Sequence, residues 1–236
     1  MFESDNDPND DTLVVPGDAL GPDTQRPGMG TYQRNGSIFS ANVGTVNLRA
    51  GYINVQAFKG RYMPRQGDSV VGIIIDSGPQ SWFVDINSAY NSLLHGAETQ
   101  WKVDFGTAGQ FLNVGDVVLA KIKSVDEVYR VNLTMKEHGL RKLTRGQVLK
   151  LSHTRVPLLI GRGGSMISLL KDGTDCRIFI GQNGVIWVDG SLEGISRAVD
   201  AIDLIDRLGP VADLMSRVEE HMGVYGNRNA GDYQIY

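Results

Sequence analysis

Hydrophobic and polar positions change their period once along this chain, and the change divides it into a strand-rich part and a helix-rich part. From residue 12 to about 64, short apolar runs alternate with glycine turns. Leu13-Val14-Val15 leads into the turn Pro16-Gly17-Asp18, and residues 40–48 and 52–58 read as strands on either side of Arg49-Ala50-Gly51. Residues 21–36, rich in Gly and Pro, read as a long loop. From 66 to 135 the strand pattern continues, with runs at 69–76, 82–87, 117–125 and 129–135 and a long mixed segment at 88–110. Around Gly146 the period changes. Residues 147–151 form a last run before an apolar helical turn near Pro157, a break at Gly161-Arg162-Gly163-Gly164, and a helix restarting at Met166, Ile167, Leu169 and Leu170. Two strands, 176–180 and 185–188, flank Gly181-Gln182-Asn183-Gly184, where Asn-Gly between apolar runs signals a hairpin. Ser191 caps a helix running to about Leu208, Gly209-Pro210 stops it, and a last amphipathic helix spans 211–222.

These patterns predict a multidomain β and α+β chain. Residues 12–65 form a small N-terminal β domain, too small to be comfortable alone. Residues 66–139, with five strands and a long third connection, fit a Greek-key barrel of the OB type. Residues 140–222 run strand, helix, G-x-x-G, helix, strand, strand, helix, which is the order of a KH domain, with a C-terminal helix added. Residues 1–11 are an acidic tail expected to be disordered, and 223–236 are expected to be flexible.

Composition narrows the setting. The single cysteine, Cys176, cannot make a disulfide within the chain, and no apolar run reaches membrane-spanning length. The N-terminus has neither the basic nor the apolar region of a signal peptide, so a cytoplasmic protein without a membrane partner is expected. The net charge of −4 argues against nucleic acid until its distribution is considered. Residues 140–171 carry seven bases and no acid inside an otherwise acidic chain.

The chemistry expected of that segment is phosphate binding. Glycines at 161, 163 and 164 permit backbone angles other residues avoid and let a sugar-phosphate chain lie against the backbone. The helix starting near Ser165 points its first N–H groups the same way. Arg162 in the loop, and Arg155 ahead of it, supply guanidinium groups for phosphate. On the barrel, Trp82 and Phe83 are candidates for stacking on bases, although alternation allows only one of them on the binding face. Lys121 and Lys123 share one face of their strand, and Arg130 and Lys136 extend the charge. The four histidines, His95, His138, His153 and His221, have no metal-like spacing, and neither a Walker A sequence nor G-x-S-x-G is present. No catalytic site, metal or cofactor is expected.

Several short segments carry a family resemblance: Val14-Val15-Pro16-Gly17-Asp18, Lys59-Gly60-Arg61-Tyr62-Met63-Pro64, Gly67-Asp68-Ser69-Val70-Val71-Gly72, and above all Gly163-Gly164-Ser165-Met166-Ile167 and Gly181-Gln182-Asn183-Gly184-Val185-Ile186-Trp187. The chain resembles the KH-type RNA-binding cap subunit of the archaeal exosome over about residues 12–222. The resemblance implies an S1-like identity for the barrel and single-stranded RNA as ligand. It also implies a trimeric cap of such subunits on a hexameric ring of two RNase PH-like subunits, which holds the phosphorolytic chemistry. By the same resemblance the N-terminal domain docks on the ring and the barrel borders its pore. An alternative is a transcription or antitermination factor with S1-like and KH domains. Such factors usually carry two successive KH units, whereas one is visible here. A relative of polynucleotide phosphorylase would have the KH and S1-like units in the opposite order.

Overall fold

The structure, a computed structural model, describes residues 12–22, 25–49, 51–57, 61–211 and 213–223. The acidic tail at 1–11, Phe58 and the residues after Gly223 lie outside the described residues. Two compact units form, one ending at Arg61 and one beginning at Tyr62.

The first unit contains β1 (Leu13–Val14), β2 (Ala19–Pro22), β3 (Arg26–Pro27), β4 (Thr31–Arg34), β5 (Ser37–Ser40), β6 (Gly44–Arg49) and β7 (Tyr52–Ala57). They form two small sheets, in the orders β1-β6-β7-β3 and β2-β5-β4, over a core of Val14, Leu20, Ile38, Val46, Ile53 and Val55. The long loop expected at 21–36 is therefore incorrect, because it holds β3, β4 and the end of β2. Its glycines mark close strand passage: the Gly28 N–H donates to the Ile53 carbonyl at 2.9 Å and the Val55 N–H to that of Met29 at 2.7 Å. The single strand expected at 40–48 is two, β5 and β6, separated at Asn42, whose N–H and carbonyl both bond the Ser40 hydroxyl.

The second unit opens with β8 (Ser69–Ser77), β9 (Ser81–Asp85), β10 (Ser92–His95), β11 (Val117–Val125), β12 (Val131–Thr134) and β13 (Arg141–Leu143). The sheet order is β12-β10-β9-β8-β11-β13, and β12 also pairs with β11, closing five strands into a barrel. β10 and β12 are parallel and the other pairs antiparallel. Alternation along β11 sends Val118, Ala120 and Ile122 inward, to a core that includes Trp82, Leu94 and Leu133. Tyr62 and Leu140 belong to this core, and β13 pairs along β11. The barrel thus reaches beyond 66–139 at both ends; the polar stretch 136–139 is a turn before one more strand.

The KH domain follows: β14 (Gln147–Lys150), α1 (Val156–Ile160), α2 (Ser165–Thr174), β15 (Arg177–Ile180), β16 (Val185–Asp189), α3 (Leu192–Leu208) and α4 (Leu214–His221). The antiparallel sheet has the order β14-β16-β15. Ile178, Ile186 and Val188 face the helices and meet Leu159, Met166, Leu170 and Ala198. The Ser191 hydroxyl accepts the Gly194 N–H at 3.0 Å, a cap that contributes about 1 kcal/mol.

The opposite face of this sheet meets the barrel. Val185 and Trp187 pack with Val71 and Leu143 in a separate apolar cluster. Beside it, the Gly181–Gly184 hairpin clasps the barrel. Asn183 is fully buried; its Nδ2 donates to the carbonyls of Val71 at 2.8 Å and Ile86 at 2.9 Å, and its Oδ1 accepts the Val71 N–H at 3.4 Å. The Gln182 N–H donates to the Ser69 carbonyl at 2.9 Å, and its Oε1 accepts the Ser69 N–H at 2.5 Å. Gly184 has φ +77°, and a Cβ there would collide with the Leu151 carbonyl and the His153 N–H. His153 stands edge-on to Tyr62, with ring centroids 6.0 Å apart. The sequence marks the hairpin; its bonding to the barrel is set by tertiary contact.

Candidate nucleic-acid interface

The turn between α1 and α2 is built to bare its backbone. Pro157 fits the first turn of α1, where its missing N–H costs nothing. The helix then ends at Gly161, with φ +74°, whose N–H donates to the Pro157 carbonyl. A Cβ on Gly161 would stand 2.6 Å from the Met166 nitrogen, so only glycine allows the two helices to meet so closely. Gly163 and Gly164 also have positive φ, at 59° and 82°. α2 starts at Ser165 with no side-chain cap and no acid in its first turn. Its first N–H groups therefore lack a side-chain acceptor, and the helix dipole favours an anion there. Arg162, Gly163 and Ser165 are exposed, and Arg162 has no carboxylate partner among the described residues. Arg155 differs: its Nε lies 3.5 Å from an Asp206 carboxylate oxygen and its guanidinium packs at Gly209, tying the start of α1 to the end of α3.

On the barrel, one of the two aromatic candidates is corrected. Trp82 is fully buried, and its Nε1 donates to the Leu112 carbonyl at 3.0 Å, so its ring fills the core and no base can reach it. Phe83, the next residue, points outward and is 40% exposed. It pairs across the strands with Leu93, and Ser81 pairs with His95, so these four share one outer face of β9 and β10. Those are the second and third strands of the barrel, the face small barrels of this type present to oligonucleotides. Lys121 and Lys123 do share an outer face of β11. Each is matched with a carboxylate, Lys121 with Glu137 at 2.7 Å and Lys123 with Glu98 at 2.8 Å. The Lys123 hydrogen bond holds the Glu98 carboxyl below its ordinary range. Arg130 is exposed without a carboxylate partner among the described residues. It ends a turn in which Asp126 Oδ1 accepts the N–H groups of Val128 and Arg130. In the same turn Tyr129, φ +58°, stacks on Tyr90 with centroids 4.4 Å apart. Tyr90 and Tyr129 were not among the residues expected at the interface, and His95 was expected only as a histidine without metal-like spacing; a tyrosine beside a basic residue in the loop before the fifth strand was the available signal.

The basic block at 140–171 does not fold into one positive surface. Lys142 pairs with Asp116 at 2.5 Å, Lys150 with Asp85 at 3.1 Å and Arg155 with Asp206. Among the described residues, the block's cations without a carboxylate within salt-bridge distance are Arg141, Arg145, Arg162 and Lys171.

Comparison with known proteins agrees with this architecture. Residues 13–49 match the model of the N-terminal region of exosome complex exonuclease RRP4, and residues 146–204 match the KH domain. The chain is 40% identical over 223 residues to the exosome complex component Rrp4 of Thermoplasma acidophilum, covering 94% of each chain. It is 45% identical over 184 residues to that of Thermoplasma volcanium, covering 78% of each. A crystal structure described as an exosome complex RNA-binding protein superposes with a TM-score of 0.64 at 32% identity, covering 70% of this chain and 97% of the other.

Proposed function

We propose, from the premise that the chain belongs to the Rrp4 family of exosome components, that it is a non-catalytic RNA-binding cap subunit. It captures single-stranded RNA in the cytoplasm and guides it to the pore of a hexameric ring of two RNase PH-like subunits for 3′-to-5′ decay, three such subunits making the cap. The observation that carries this reading is the Gly161–Gly164 turn: three glycines at positive φ, an uncapped helix start and an uncompensated Arg162 on one exposed surface. Gly161, Arg162, Gly163, Gly164 and Ser165 hold the sugar-phosphate chain there. On the barrel, Phe83 stacks on a base and Arg130 adds charge. Lys121 and Lys123 engage RNA only by exchanging their carboxylates, so their contribution is small. Docking on the ring falls to the first unit, which carries exposed Leu13, Val15, Met29 and Val43.

The test uses the purified chain, the ring, labelled oligoadenylate and inorganic phosphate. Alone, the chain binds the RNA and leaves its length unchanged. Added to the ring, it speeds decay and raises processivity. Shortening of the RNA by the chain alone, or failure to join the ring, overturns the proposal. The relatives' identity as exosome components over most of the chain leaves the transcription-factor alternative without support.

A further inference from the structure

Two of the uncompensated cations lie away from the glycine turn. Phe179 and Trp187 alternate with Ile178, Ile186 and Val188 along β15 and β16, so they occupy the face of the KH sheet turned from the helices. The Arg141 guanidinium carbon lies 5.1 Å from the centre of the half-buried Phe179 ring. Phe179 and Trp187 are 5.7 Å apart, and Arg177, which also pairs with Asp189, lies 5.8 Å from the Trp187 centre. Trp187 Nε1 donates to the Arg145 carbonyl at 2.8 Å.

Arg145 is the informative member. Its φ is +68°, in the left-handed region that favours glycine, directly before Gly146 at +84°. The structural bond in this turn uses only the carbonyl of Arg145, which any residue supplies. Its side chain is exposed and has no carboxylate partner among the described residues. A strained backbone carrying a charged side chain that the fold does not use indicates a ligand outside the fold.

We propose that Arg141, over Phe179, and Arg145, in the turn bonded to Trp187, form a second phosphate-binding strip for single-stranded RNA along the exposed segment that joins the barrel to the KH sheet. The inference rests on the RNA-binding function proposed above. Two uncompensated guanidinium groups donate to phosphate oxygens in bidentate fashion. The Arg141 guanidinium, backed by the half-buried Phe179 ring, gives a base a plane on which to stack. Sequence-independent grip on a passing strand follows, because neither contact reads a base edge.

The test measures fluorescein-labelled oligouridylate binding to the full chain by anisotropy across potassium chloride concentrations, together with thermal melting. Arg145→Gly removes the guanidinium and relieves the backbone. It is expected to melt at or above the wild-type temperature while binding RNA several-fold more weakly, and Arg145→Lys is expected to retain most of the affinity. In Arg141→Gln/Arg145→Gly, the slope of log affinity against log salt falls by about 1.4, roughly 0.7 for each single-strand phosphate no longer neutralised. Wild-type affinity and slope in both variants, with Arg162→Glu weakened, overturns the strip and leaves the RNA-binding function standing. Parallel loss of melting temperature and affinity in Arg145→Gly, unrescued by lysine, assigns Arg145 a structural role and also overturns it. Absence of RNA binding by the wild type at low salt overturns both.

Discussion

Two four-residue turns of the KH domain share the pattern G-x-x-G, and the fold uses them in opposite ways. Gly161-Arg162-Gly163-Gly164 is largely exposed, and an uncapped helix follows it. Gly181-Gln182-Asn183-Gly184 is packed against the barrel, with its central amide side chain fully buried. The residues inside the pattern decide the difference. An asparagine amide donates and accepts at once, so it satisfies both polar groups of Val71 where β9 has not yet paired with β8, a pairing that begins at Ile73. Arginine and glycine offer the interior nothing of that kind and remain in water. One turn joins two domains; the other is left for a ligand.

Removing the amide is the most severe way to test that contrast. Asn183→Ala leaves the Val71 and Ile86 carbonyls and the Val71 N–H without their partner, and is expected to cost about 2–4 kcal/mol in urea unfolding. Barrel and KH signals, coincident in the wild type, are expected to separate. Arg162→Glu is the counterpart in the exposed turn. It is expected to lower affinity for single-stranded RNA roughly tenfold, with stability moving by less than about 0.5 kcal/mol. An Asn183 variant that lost RNA binding while keeping its stability would erase the distinction between the turns.

Most elements could be read from the sequence because they are locally determined. Ser191 and Gly209 bound α3, and the alternation of β11 holds from Val117 to Lys123, ahead of the bulge near Ser124. The bare glycine turn was legible for the same reason. Alternation also required that one of Trp82 and Phe83 face inward. Which one depends on the register of β9 against its neighbours, a tertiary matter. The partners of the lysines were equally hidden, since Glu98 stands 25 residues from Lys123 and Glu137 stands 16 from Lys121. A block of seven bases looks like a surface in one dimension; folding brings Asp85, Asp116 and Asp206 to three of them. β13 went unread because three residues are too few to show a period.

Smaller effects sharpen the account. Lys121→Ala and Lys123→Ala remove ion pairs that are partly exposed, so each is expected to change stability by less than about 1 kcal/mol in urea unfolding. Their RNA affinity should fall less than that of Arg162→Glu. The smallest expected effect is a slope with pH. Burial first, and the charge of Arg65 second, hold the His153 imidazole below its ordinary range, so folding favours the neutral form. Its contribution is complete above the ordinary histidine value of about 6.5 and is lost as pH falls from there through the folded value. His153→Gln is expected to flatten the decline in the urea midpoint between about pH 7.5 and about pH 5.5.

The most direct measurement follows the backbone amide resonances of the full chain during titration with single-stranded oligouridylate. The amides of Gly161, Arg162, Gly163, Gly164 and Ser165 are expected to shift as RNA is added, while those of Gly181, Gln182, Asn183 and Gly184 stay in place. Resonances of the first group that do not move, or movement confined to the second, would contradict the assignment of RNA to the exposed turn.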